Sequence, residues 1–207
     1  MKIINSLPNV LHLEFRNRTE LTLSLCRIQE FFESPYEHIR GKVFTLEAFL
    51  ATYYAPGHEI DYLAYWGGFN VPKSVLDEFF NRFGETLTLR EQVIKHAWKS
   101  GEYQYLIAVD VDDADNALGH ELAHARYALD EEYRQQSKEI VLSIPSELVV
   151  KMKADLIRGG YPNDDELLCD EIHAYLATSF DDELAETFPD IPLSELRPYI
   201  DRLKAIP

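Results

Sequence analysis

Apolar and polar positions alternate from Val10 to Phe15 (V-L-H-L-E-F), which predicts a half-buried strand with His12 as a strand residue. Beyond it the period lengthens. Leu21, Leu23, Leu25, Ile28, Phe31 and Phe32 predict a helix capped by Asn17 or Thr19 and ended by Ser34-Pro35, and residues 35–44 predict a loop. Thr45 caps a predicted helix over Leu46 to Tyr54, with Pro56-Gly57 as its stop. Trp66 to Pro72 (W-G-G-F-N-V-P) is rich in breakers and predicts a turn, with the aromatics of Ile60 to Trp66 packed beneath a loop or, alternatively, lining a substrate cleft. Helices are expected over Val75 to Phe83, capped by Ser74, and over Leu89 to Ser100, where His96 has no spaced partner.

Tyr103 to Val111 (Y-Q-Y-L-I-A-V-D-V) is the strongest strand signal in the chain and runs into Asp110, Asp112, Asp113 and Asp115. These acids lack the glycine and distal glutamate of a calcium loop and are expected to serve as turn and cap residues. A helix follows, then a polar break near Arg134 to Ser137. Further helices are expected over Glu147 to Arg158, from Asn163–Asp165 onward, and over Ser194 to Leu203. The fold expected is α+β: a small mixed sheet with a mainly helical remainder. It forms one domain, with residues 1–102 as scaffold and 103–207 as the region that carries chemistry.

Composition narrows the class. The chain has 207 residues, 46% of them hydrophobic, enough for a sizeable core. Thirty-six acids against 20 bases give a net charge of −16, a surface that repels phosphate backbones and anionic membranes. Neither nucleic acid nor a membrane is therefore an expected partner. Cys26 and Cys169 lie far apart and outside any C-x-x-C, so free thiols are expected, with a single bridge as the alternative. The first residues lack the apolar run of a signal peptide and no stretch has bilayer-spanning length. The expected location is cytoplasmic; signal-free export would leave the same sequence.

The candidate chemistry lies in Asn116 to Tyr127 (N-A-L-G-H-E-L-A-H-A-R-Y), where His120, Glu121 and His124 form H-E-x-x-H. On a helix His120 and His124 stand one turn apart, so both imidazoles can reach one ion. Glu121 at the shoulder of that face can take a proton from a zinc-activated water. Asp115 and Asn116 are the expected caps of this helix. Tyr127 falls on the metal side two turns deeper and reads as packing or as support behind a ligand, and Arg126 as a surface or ion-pair residue. Two histidines do not hold a catalytic zinc, which normally takes three protein ligands. Leu168 to Leu176 (L-C-D-E-I-H-A-Y-L) stands out as an apolar helical stripe carrying acids and a histidine.

Over residues 103–180 the chain resembles the gluzincins, zinc metallopeptidases with H-E-x-x-H on one helix and a glutamate ligand on a downstream helix. The resemblance implies that His120, His124 and Glu171 bind Zn2+ and that Glu121 is general base and acid. It also implies that Tyr103 to Val111 is an edge strand that pairs with an extended peptide or protein substrate. Many gluzincins place an aspartate four residues after the ligand glutamate. That aspartate orients the first zinc histidine; here the position is Tyr175, so Tyr175 or another residue such as Asp170 is the expected anchor of His120. Tyr175 is also a candidate donor to a developing oxyanion. His173 is the rival third ligand; lying about 200° round the helix from Glu171, it cannot share the metal with it. The implied activity is zinc-dependent peptide hydrolysis. The alternatives are an inactive interaction protein on the same scaffold and a zinc hydrolase with another substrate.

Overall fold

The computed structural model describes residues 1–4, 7–54, 61–112 and 114–207, without the side chains of 114–116. It has an α+β fold that divides into two compact units, Met1–Glu121 and Leu122–Pro207. Of the region 103–207 expected to carry the chemistry, residues up to Glu121 belong to the first unit and the rest to the second.

The first unit contains a four-stranded sheet. Its members are β1 (Lys2–Ile4), β2 (Val10–Phe15), β3 (Gly68–Pro72) and β4 (Tyr105–Asp110), in the spatial order β1-β2-β4-β3. β2 and β4 run parallel, and the outer strands pair antiparallel with them. Between β2 and β4 in sequence lie α1 (Arg18–Glu33), α2 (Leu46–Tyr53), α3 (Tyr62–Tyr65), β3, α4 (Lys73–Phe83) and α5 (Leu89–Lys99). Caps explain where the helices start. Asn17, Thr45 and Thr88 each accept a backbone N–H three residues on, and Glu91 completes a capping box with Thr88. Leu11, Leu13, Phe15, Leu106 and Ala108 on one sheet face pack with Leu21, Leu25 and Ile28 of α1 and the phenylalanines of α4. That burial, not helix propensity, is the main source of helical stability here.

Three expectations change. Gly68–Pro72 is a strand, not a turn: Phe69 and Val71 are buried in the core and alternate with Asn70, a period-two pattern masked by the flanking breakers. α4 is preceded by Pro72 and begins at Lys73, so Ser74 is inside it and is not its cap. β4 is not an edge strand. It pairs with β2 on one side and β3 on the other, leaving no ladder for a peptide; the outer strand next to it is β3. The expected stop at Pro56-Gly57 lies outside the described residues.

The motif helix is α6 (Ala114–Leu129), and the division between units falls within it, after Glu121. The expected caps Asp115 and Asn116 are inside it. Asp113 lies outside the described residues. The second unit continues with α7 (Glu131–Leu142), α8 (Ser146–Arg158), α9 (Asp165–Thr178), α10 (Asp181–Thr187) and α11 (Leu193–Lys204). The predicted break at Arg134–Ser137 is instead the middle of α7. Asp130 accepts the Tyr133 N–H and starts that helix, and Tyr133, Ser137, Ile140 and Val141 form a buried stripe hidden among polar residues. Met152, Leu156, Leu168, Ile172, Leu176, Phe188, Leu196 and Ile200 form the second core. Both cysteines are free thiols. Among the described residues no helix is long and apolar enough to cross a membrane.

Candidate metal centre

Helix α9 is fixed on several sides. Asp164 accepts the N–H groups of Glu166 and Leu167 at its start, and Leu168, Ile172 and Leu176 bury its apolar stripe. The helix packs against α7, α8 and α11. Its remaining circumference carries Asp170, Glu171 and His173. Helical spacing on α6 brings His120 and His124 one turn apart, as the sequence predicts. One ligand atom from each of His120, His124 and Glu171 lies within 4.8 Å of the others. His124 and Glu171 are buried, and His124 Nε2 stands 3.6 Å from Glu171 Oε1. Two ligands at ordinary zinc bond lengths in a tetrahedral shell are about 3.3 Å apart, so this pair needs only a small adjustment to hold an ion. Two imidazoles and one carboxylate are also a donor set used by catalytic zinc.

Behind these atoms is a hydrogen-bonded chain. Asp170 Oδ2 lies 3.0 Å from His124 Nδ1, leaving Nε2 as the nitrogen toward Glu171. Asp170 Oδ1 lies 3.2 Å from His173 Nδ1, and His173 Nε2 lies 2.8 Å from the Tyr133 hydroxyl. The fully buried His173 ring stacks on Tyr127 at 5.0 Å. Burial opposes charge on His124, but Asp170 and Glu171 outweigh it and push its pKa well above the ordinary value. Burial likewise disfavours the Asp170 carboxylate, and the His124 charge overcomes it and lowers that pKa. For His173 burial wins over Asp170, so its pKa is lowered and the ring stays neutral. Both its nitrogens are engaged by Asp170 and Tyr133, which gives His173 a place behind the cluster.

Asp170 meets His124, the second histidine of the motif, whereas the resemblance assigns the anchor to the first, His120. The Tyr175 hydroxyl lies 3.3 Å from that of Tyr161, and its ring meets Phe188 at the second core. Arg126 lies over the Tyr133 ring and near Asp130, and His12 is a buried residue of β2. Asp110, one of the acids weighed for calcium, is buried against Arg18 and accepts the Asp112 N–H, a turn role. Glu121 is buried within the first unit, where Asn70 Nδ2 donates to its Oε2 at 2.9 Å. Sequence reading did not single out Asn70 or Tyr133. The signal for the first was the Phe69/Val71 alternation, and for the second its place three residues after the cap Asp130.

No protein-family model matches this chain, and no curated protein or solved structure matches it either.

Proposed function

We propose that this protein is a zinc-dependent metallopeptidase of gluzincin type, with His120, His124 and Glu171 as zinc ligands and Glu121 as general base. The observation that carries the reading is the convergence of two imidazoles and a carboxylate from α6 and α9, with Asp170 orienting His124. Held by His120, His124 and Glu171, a zinc ion would supply Lewis-acid chemistry, polarising a peptide carbonyl and bringing the pKa of water to about 7. Glu121 accepts the proton of the attacking water and returns it to the departing amine. Asp170 holds the His124 ring so that Nε2 is the coordinating nitrogen, and His173 and Tyr133 hold Asp170. Tyr175, whose hydroxyl lies 3.3 Å from that of Tyr161, is the candidate donor to the developing oxyanion. The substrate class is peptides or proteins, and the proposed compartment is the cytoplasm.

Elemental analysis of the purified protein tests the centre. The expected result is about one zinc per chain, lost in Glu171→Ala and retained, more weakly, in His173→Ala. Glu121→Ala is expected to keep its zinc while failing to cleave a proteome-derived peptide library read by mass spectrometry. No zinc after reconstitution overturns the reading, as does a Glu121→Ala protein that cleaves at the normal rate.

A further inference from the structure

One face of β3 meets the Glu121 side chain at two residues, Asn70 and Gly68. Asn70, on β3, donates from Nδ2 to Glu121 Oε2 at 2.9 Å, and its own Oδ1 receives the Tyr105 hydroxyl of β4 at 2.6 Å. All three residues are buried. The pairing of Asn70 with Ile107 and of Pro72 with Tyr105 sets Asn70 and Tyr105 diagonally across the β3–β4 ladder, within reach of a long side chain. This chain of bonds has a direction. Because the phenol occupies the amide oxygen, the NH2 end faces the carboxylate; a flipped amide would set oxygen against oxygen.

Gly68 adds a steric condition. It lies two residues before Asn70 and so shares its face of β3. A Cβ built there would lie 2.8 Å from Glu121 Cγ and 2.9 Å from Cδ, closer than real Cβ atoms come. A side chain at residue 68 would therefore force the Glu121 side chain to shift.

We infer that Asn70, oriented by Tyr105, and the bare backbone at Gly68 are positioning elements that hold Glu121 in its working rotamer. The inference rests on the reading of Glu121 as general base. An amide suits the task because it donates to one carboxylate oxygen without taking part in proton exchange. Asn70 acts through Glu121 and is a positioning residue, not a catalytic one.

The first test uses metal-free protein and no substrate. Asn70→Ala, Glu121→Ala and the double variant are compared by urea unfolding, as a double-mutant cycle. A charge-assisted bond predicts coupling of roughly tenfold or more in the unfolding equilibrium constant; strict additivity overturns the inference. Tyr105→Phe and Gly68→Ala are the milder variants. Tyr105→Phe should show the same kind of coupling to Glu121→Ala, transmitted through the intact Asn70, which keeps the question decidable if Asn70→Ala folds poorly. The second test uses zinc-loaded protein and a peptide that the wild type cleaves. Asn70→Ala and Gly68→Ala should lower kcat roughly tenfold to a hundredfold, with KM and zinc content unchanged. Loss of zinc, or a change confined to KM, overturns the positioning role. A wild type that binds zinc and cleaves nothing would instead defeat the peptidase reading, and the unfolding cycle would still decide whether the cradle holds Glu121.

Discussion

Glu30 is a carboxyl group placed where water does not reach it. Burial raises its pKa to about 7, although the hydroxyls of Tyr62, at 2.5 Å, and Tyr53 both donate to it and favour the charged form. In the unfolded chain the same group titrates near 4.5. Below pH 4.5 both states hold the proton and the group costs folding nothing. Between pH 4.5 and about 7 only the unfolded chain releases it, so stability falls across that window, by about 3 kcal/mol in all. Above pH 7 the loss is complete. Glu30→Gln should remove most of this decline, so that the variant gains on the wild type as pH rises from 4.5 to 8. Urea unfolding at several pH values measures the difference, and parallel curves for the two proteins would refute it. Asp170 makes a second prediction at this scale. Asp170→Asn leaves the three ligand side chains in place but weakens the acceptor of His124 Nδ1. Zinc affinity should fall 10- to 100-fold, read by competition with a chelator.

Between elements, one buried ion pair ties α1 to α5. Arg27 Nε and Nη2 bond both oxygens of Glu91 at 2.8 and 2.5 Å, and the same guanidinium donates to the carbonyls of Phe44 and Thr86. Glu91 also accepts the Thr88 N–H in the capping box, so one carboxylate serves the start of α5 and its attachment to α1. Glu91→Ala leaves a buried charge with only carbonyl acceptors and should cost about 3–5 kcal/mol in urea unfolding. An exposed pair such as Arg82–Glu78 should cost less than about 1 kcal/mol when broken. The same contrast explains what was legible in the sequence. α1, α2 and α5 announce themselves because a cap residue precedes a helical apolar period. β3 was hidden because glycines and a proline, ordinarily breakers, sit at both ends of a five-residue strand whose alternation spans only Phe69 to Val71. α7 was hidden because its buried stripe includes Tyr133 and Ser137, which read as polar. At the site, His120, His124 and Glu171 could be picked out by spacing and by resemblance. Asn70 and Tyr133 left only the faint signals of a short alternation and a place after a cap, and Tyr105 left none, since their contacts depend on sheet register and helix packing.

At the scale of the whole molecule, the net charge of −16 attracts any cation, so a gain in stability on adding zinc does not by itself identify a site. Two effects can be separated. Screening of self-repulsion is a property of ionic strength; sodium chloride should raise the melting temperature, and calcium should do so at least as well as zinc at equal concentration. Binding at His120, His124 and Glu171 follows mass action instead. At 100 times its Kd the ion stabilises by about 2.7 kcal/mol, which for a chain of this size is roughly 5–10 °C. That gain should persist in 0.5 M sodium chloride, where the Debye length is only about 4 Å and surface attraction is largely screened. It should disappear on addition of a chelator and be absent from Glu171→Ala, while the response to sodium chloride stays as in the wild type. A zinc shift that calcium reproduces, or that Glu171→Ala retains, would belong to the acidic surface. Only a shift that is specific to zinc, salt-resistant and lost with Glu171 measures an ion held by the three converging side chains.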